Sequence, residues 1–121
     1  MKYVILTLML VLNACGDQPL LRDGDYGVSS NIVAYHCVCG PPGSTVSSEG
    51  WVYRDNTLKM LDSEFQMKED GRRLTHYRDD QYLTFGIELT PNEKGDGFKG
   101  IWYLDWPDLI LHVVSVEGKL K

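Results

Sequence analysis

The chain has 121 residues, is 43% hydrophobic, and carries 12 Lys and Arg against 17 Asp and Glu, for a formal net charge of −5. This length suffices for one small domain with a modest core. The acidic balance argues against nucleic acid and against an anionic bilayer surface as the main partner. It suits either a simply soluble domain or a surface for a basic partner.

The first fifteen residues have the pattern of a secretory signal. A short basic start precedes an apolar run over residues 3–12, which is about half of the ~20 residues that a membrane-spanning helix needs. The run ends in Leu12-Asn13-Ala14-Cys15, which resembles the lipobox of bacterial lipoproteins. The resemblance implies that residues 1–14 are removed and that Cys15 becomes a lipidated N-terminus, so that lipid on this residue binds the protein to a membrane.

The residue after Cys15 bears on which membrane the lipidated protein would occupy. Gly16 stands where lipoproteins retained in the inner membrane tend to have Asp, so the resemblance favours the outer membrane, facing the periplasm, over the inner membrane. Residues 15–25 are polar and lack periodicity, and we interpret them as the lipidated N-terminus and its tether. Residues 26–121 then form a single β domain.

From Tyr26 onward, short runs rich in β-branched and aromatic residues alternate with turn signals, which predicts strands. The first strand is expected over residues 31–39 and is followed by a polar loop up to Gly50. Asp55-Asn56 then predicts a two-residue hairpin loop, which puts four large apolar side chains on one face. The predicted pairs are Trp51 with Met60 and Tyr53 with Leu58.

Asp70-Gly71 predicts a second hairpin, between residues 64–69 and 72–77, because both central residues of a type I′ turn need positive φ. The predicted pairs are Met67 with Leu74 and Phe65 with His76. The rival interpretation is one helix over residues 57–69 that ends at Gly71. We prefer the hairpin because it also explains the residues that follow Gly71.

The last third of the chain predicts three more strands. Residues 81–90 alternate most clearly between apolar and polar side chains, and further strands are expected over residues 98–104 and 109–116. Between the last two, Asp105-Trp106-Pro107-Asp108 predicts a turn, because proline restricts the residue before it to extended conformations. About seven or eight strands with short connections predict an all-β fold, a small antiparallel meander arranged as a barrel or a sandwich.

His36-Cys37-Val38-Cys39 is the densest chemical motif. In a regular strand the two cysteines share a face with β-carbons about 6–7 Å apart, whereas a disulfide needs about 3.8 Å, so a bond between them requires the strand to break near Gly40. Three interpretations stay open: a local disulfide, two unpaired buried thiols, or a soft-metal or redox site in which His36 joins the sulfurs. His76 and His112 lie in strand patterns and are expected to be packed residues.

The sequence contains no catalytic or cofactor motif, so we favour a non-enzymatic protein without a cofactor. Trp106, in a turn beside a proline, is the best candidate for an exposed aromatic contact. The favoured function is a lipid-anchored binding or structural module of the cell envelope, whose ligand is an envelope protein, a glycan or an apolar molecule. In architecture alone it resembles periplasmic lysozyme inhibitors and lipocalin-like carriers. The alternative is a metal-binding or thiol-redox protein centred on His36, Cys37 and Cys39.

Overall fold

The computed structural model describes residues 19–41, 46–60 and 62–121. Within these ranges the chain is all-β and has no helix, which confirms the predicted fold class and excludes the rival helix. It has nine strands rather than the seven or eight that were predicted. None of the described segments forms a helix long and apolar enough to cross a membrane. The strands are β1 (Gly24–Cys37), β2 (Val46–Arg54), β3 (Thr57–Met60), β4 (Ser63–Gln66), β5 (Lys68–Asp70), β6 (Arg73–Asp79), β7 (Thr84–Pro91), β8 (Gly97–Trp106) and β9 (Ile110–Leu120).

The nine strands form one antiparallel, nearly closed barrel in the order β4-β3-β2-β1-β9-β8-β7-β6-β5. The chain runs up and down, and the first strand pairs with the last, so neither β1 nor β9 is an exposed edge. β4 and β5 are two halves of one bent strand, since β4 pairs with β3 and β5 pairs with β6. No ladder joins β4 to β6 in the described residues, so the wall has a seam there.

The first hairpin has the predicted register. Trp51 lies opposite Met60 and Tyr53 opposite Leu58, and Asp55 and Asn56 have φ of 51° and 63°. Both central residues thus adopt the left-handed conformation that a type I′ turn requires. Asx residues tolerate this region better than most others, which is why the sequence signal was reliable here.

The predicted register of the second hairpin is wrong by two residues. Glu69, not Met67, lies opposite Leu74, and the turn is centred on Gly71-Arg72. Gly71 has φ of 64° and is the first central residue, as in a type II′ turn, rather than the second residue of a type I′ turn. Because the slip is even, every side chain keeps its face, and Met67 and Leu74 are both buried as expected. Phe65 pairs with Leu58 instead of His76.

Several strands are longer than the sequence patterns predict. β1 begins at Gly24, β2 at Val46, and β9 continues to Leu120 instead of ending near residue 117. The last turn is one residue later than predicted, because the Leu109 N–H donates to the Trp106 carbonyl (2.9 Å) and Trp106 is the final residue of β8. Pairing with a neighbouring strand extends polar and glycine-containing segments that carry no local strand signal.

The barrel is closed at one end by the start of the described chain. Leu21 is fully buried there, the Arg22 N–H donates to the Gly95 carbonyl (2.8 Å), and the Tyr26 hydroxyl donates to the Arg22 carbonyl (2.6 Å). Within the predicted tether over residues 15–25, Leu21 belongs to the barrel core and Leu20 packs against it. We call this the closed end.

The core fills the barrel from the closed end. Trp51 and Phe98 stack with ring centroids 5.7 Å apart, and Tyr26 lies 5.5 Å from Phe98. Each large apolar side chain buried in this way contributes about 1.5–3 kcal/mol of transfer free energy. The buried hydrophobic residues are Leu21, Tyr26, Val28, Trp51, Tyr53, Leu58, Met60, Met67, Leu74, Ile87, Leu89, Phe98, Val114 and Val116.

Candidate functional site

At the opposite end of the barrel, which we call the open end, the interior is lined by aromatic rings that are only partly buried. Neighbouring rings lie 4.9–6.4 Å apart between centroids, the tightest pair being Trp102 and His112. They come from six strands, because the registers place inward positions of adjacent strands side by side. We call them the aromatic arc: Tyr35, Phe65, His76, Phe85, Trp102 and His112.

A β-bulge in β1 brings Tyr35 into this arc. The register slips between Ile32 and Ala34, so the extra residue Val33 reverses which later side chains face inward. Tyr35 then lies opposite His112, and their rings meet edge-on at 5.3 Å. The sequence showed no signal for the bulge, because Val33 is as good a strand former as its neighbours.

The arc contains polar ring atoms that lack a hydrogen-bond partner. Trp102 Nε1 and His112 Nε2 are buried and unpaired, which typically costs about 1–3 kcal/mol for each such group. Burial lowers the pKa of His112 below its ordinary value, so the ring is neutral at pH 7. His76 differs, since its Nδ1 lies 3.0 Å from the Gln66 carbonyl and donates to it in the Nδ1-protonated tautomer. The arc is therefore not purely apolar.

An apolar recess of about 290 Å³ opens on the arc beside the β4–β6 seam. Phe65 and Phe85 stack 5.1 Å apart on its wall, and Leu83 and Leu104 complete the apolar lining. Arg78 and Asp80 supply its charged groups. Sites for drug-sized ligands occupy about 300–1,000 Å³, so this recess has room for one apolar group rather than a large molecule.

Exposed apolar side chains are concentrated around this end. Four of the six large hydrophobic residues that are exposed in the described chain lie here, and their exposed fractions range from 37% to 68%. They occupy three neighbouring connections, and the Val38 N–H donates to the Leu109 carbonyl (3.0 Å). We call them the apolar rim: Val38, Tyr82, Trp106 and Leu109. Such clustering on a small protein marks a contact surface more often than scattered exposure does.

Trp106 belongs to the rim, as its predicted exposure suggested. It is 40% exposed, whereas Trp51 is 1% exposed and Trp102 is partly buried. Trp106 lies opposite Ile110, which in turn lies opposite Cys37. A contact role for Trp106 remains a prediction.

Cys37 and Cys39 form a disulfide at this end. Gly40 has φ of 121°, and its N–H donates to the Cys37 carbonyl (3.2 Å), so the strand breaks where the bond requires it. His36 lies opposite Leu111, on the other side of the strand from Cys37, and is exposed. Among the residues that the structure describes, no three His, Cys, Asp or Glu side chains come together as a metal site. Cys15 lies outside the described residues.

A larger groove, about 670 Å³, follows the outer wall over β1, β9 and β8. Its lining includes Gly27 and Gly118 together with the charged residues Lys99, Glu117 and Lys119. It lacks a cluster of exposed apolar side chains, so we regard the open end as the better candidate. Comparison of this chain with protein-family models, with curated proteins and with solved structures finds no match.

Proposed function

We propose that this protein is a lipid-anchored, non-enzymatic binding module of the cell envelope that holds an apolar group of its ligand at the open end. One observation carries the proposal: the apolar rim and the aromatic arc surround a single apolar recess. A soluble protein gains nothing in stability from exposed large hydrophobic side chains, whereas a binding surface uses them. The absence of any catalytic motif in the sequence favours binding over catalysis.

The size of the recess sets the strength of binding that it supports. Burying about 150–250 Å² of aromatic surface contributes roughly 4–6 kcal/mol at ~25 cal/mol per Å². Association costs about 4–15 kcal/mol in lost freedom of motion. The recess alone therefore supports weak binding, and tight binding needs contacts with the rim as well.

The position of the tether suits this function. The described chain begins at Pro19, and Leu20-Leu21 packs against the closed end. With lipid on Cys15, a short segment would connect the closed end to the membrane, and the open end would face away from it. Stable attachment needs two or more acyl chains, as in lipoproteins. Replacing Cys15 with Ser and fractionating cells tests the anchor; a mature-sized mutant that stays with the membranes would contradict it.

The binding site can be tested with the neutral fluorescent probe N-phenyl-1-naphthylamine. We expect its emission to rise on adding the mature chain, residues 15–121 with Cys15→Ser, which keeps every residue of the described barrel. Leu83→Trp should fill the recess and weaken probe binding at least tenfold. Thr90→Trp is the matched control, because Thr90 is an exposed residue of β7 outside the recess. Equal binding by both variants would sink the proposed site.

A second candidate function is thiol–disulfide exchange at Cys37 and Cys39. Cys39 is exposed, so a thiolate of a partner protein could attack its sulfur, form a mixed disulfide and release the Cys37 thiolate. Incubation with glutathione, followed by alkylation and mass spectrometry, tests this exchange. An adduct confined to Cys39 would support it, and an unreacted disulfide in the folded protein would exclude it.

A further inference from the structure

Carboxylates surround the apolar rim. All of them are exposed, and they lie in the open-end connections or at the strand ends that lead into them. Two are held by local hydrogen bonds, since Asp79 accepts from the Thr84 hydroxyl (3.2 Å) and Asp80 accepts from the Gln81 N–H (2.7 Å). The residues are Asp62, Asp79, Asp80, Asp105 and Asp108.

Few cations balance these carboxylates. In the described parts of the open-end connections, residues 38–41, 62, 80–83 and 107–109, there is no Lys or Arg. Arg78 lines the recess, and the ion pairs found in the described chain are those of Arg73 with Asp70 and Glu88. The open end therefore combines the apolar rim with a surrounding negative charge.

We propose that the open end docks a cationic, amphipathic segment of another protein. An apolar side chain of that segment enters the recess, and its Lys or Arg residues face the rim carboxylates. The proposal rests on the binding function proposed above and adds the chemical class of the partner. Charge complementarity of this kind sets which partner is accepted and speeds association more than it raises affinity.

The same features disfavour other occupants. An anionic bilayer would be repelled by the carboxylates, and a ligand small enough for the recess would leave Val38 and Leu109 uncovered. The four rim residues are spread over three neighbouring connections, so covering them needs a partner with an extended surface. A protein segment meets both requirements.

The test uses two synthetic peptides that share a central Phe and differ only in carrying Lys or Glu at the flanking positions. We expect the Lys peptide to bind the mature chain at least tenfold more tightly than the Glu peptide, and its affinity to fall with added salt. Binding can be followed by nuclear magnetic resonance shifts of the rim residues. Equal affinity for both peptides, or stronger binding to phosphatidylglycerol vesicles than to the Lys peptide, would overturn the proposal.

Charge-neutralising variants locate the contact. Asp105→Asn and Asp108→Asn should each weaken the Lys peptide about two- to fivefold, the usual range for an exposed ion pair. Glu93→Gln and Glu117→Gln change the net charge equally, but these exposed residues lie in the closed-end loop and on the outer wall, so no change is expected. An equal loss of affinity for the Lys peptide in the two Asp→Asn variants and the two Glu→Gln variants would show that the attraction is nonspecific. That result would reject the docking surface.

A rim variant separates apolar from ionic contacts. Trp106→Ala should weaken the Lys peptide at least tenfold while leaving thermal unfolding nearly unchanged, because exposed substitutions usually have small effects on stability. Unchanged affinity would remove Trp106 from the interface and overturn the proposed mode of docking. If naphthylamine binds the recess and the Lys peptide does not bind, the apolar binding function stands and the cationic partner is wrong.

Discussion

At the scale of single residues, glycines decide how closely the strands of this barrel approach. The Tyr103 ring lies over Gly86 on the neighbouring strand, and the Phe98 ring lies over Gly118. In both pairs the aromatic side chain covers backbone that glycine leaves bare, a known stabilising arrangement in sheets. Gly100 is different, because a β-carbon there would meet the Glu88 carbonyl, which is part of the backbone.

We therefore expect Gly100→Ala to destabilise the barrel by about 2 kcal/mol or more. Backbone cannot move aside as a side-chain tip can, so β7 and β8 would have to separate. Gly27→Ala is the matched control, since the nearest atom to its added β-carbon is a lysine side-chain carbon at 3.7 Å. Urea unfolding of the two variants measures the difference, and similar midpoints would contradict the close approach.

His112 gives a second residue-scale prediction. Burial lowers its pKa in the folded protein, whereas the unfolded chain titrates near 6.5. As pH falls through this value, the unfolded state takes up a proton that the folded state does not, so His112 makes the barrel less stable in acid. His112→Gln should flatten the fall in unfolding free energy between about pH 7 and pH 5. His36→Gln, at an exposed position, is the control, and an identical slope in both variants would rule out this role.

At the scale of elements, turn chemistry determined which registers the sequence could reveal. Asp55-Asn56 has a conformation that few other residue pairs adopt, so the register of its hairpin was predictable. Asp70-Gly71 is ambiguous, because glycine fits either the second position of one turn type or the first position of another. The inward-facing side chains were still predicted correctly, because strand faces repeat every two residues and the register error was two residues.

Gly71 provides the test of that turn. Its φ is 64° and no atom lies within 4 Å of an added β-carbon, so a substitution there probes backbone conformation alone. Gly71→Val should cost about 1–2 kcal/mol, the penalty of the left-handed region for a bulky residue. Gly71→Asn should cost much less, because Asn tolerates positive φ. Equal losses of unfolding free energy in the two variants would show that the turn is not of this type.

The candidate site was less predictable than the strands. Alternation placed Phe85 inside, and the turn placed Trp106 outside, but the aromatic arc depends on which strands are neighbours. His76 and His112 were expected only to be packed, and their meeting with Phe65 and Trp102 follows from the order of strands around the barrel. Local patterns contain no information on that order, nor on the bulge at Val33 that turns Tyr35 inward.

At the scale of the whole molecule, the two ends of the barrel differ in how completely their side chains are buried. The fully buried side chains, including Trp51, Tyr53 and Leu58, lie toward the closed end, while the open end holds partly buried rings and the apolar rim. A domain of this size has a small margin of stability, so its core cannot also be left open. Concentrating the core beside the point where the chain enters leaves the far end available for the ligand that we propose.

The closed end should also set the alkaline limit of stability. Tyr26 and Tyr53 are buried there, and burial, chiefly, raises the pKa of each to about 12. Their hydroxyls donate to the Arg22 carbonyl (2.6 Å) and to Asn56 Oδ1 (3.0 Å), contacts that ionisation would abolish. In the unfolded chain both phenols titrate near 10.

The folded pKa values exceed the unfolded ones, so the stabilising effect is fully present below about pH 10 and is lost as pH rises toward 12. Over this window the unfolded state releases protons that the folded state retains. We expect the unfolding free energy to fall with a slope that approaches one proton for each tyrosine. Urea unfolding at a series of alkaline pH values measures this slope.

The double variant Tyr26→Phe with Tyr53→Phe should have a lower unfolding free energy at neutral pH and a flatter alkaline slope. Tyr82→Phe, at an exposed position, should change neither. An unflattened slope in the double variant would assign the alkaline limit to other groups.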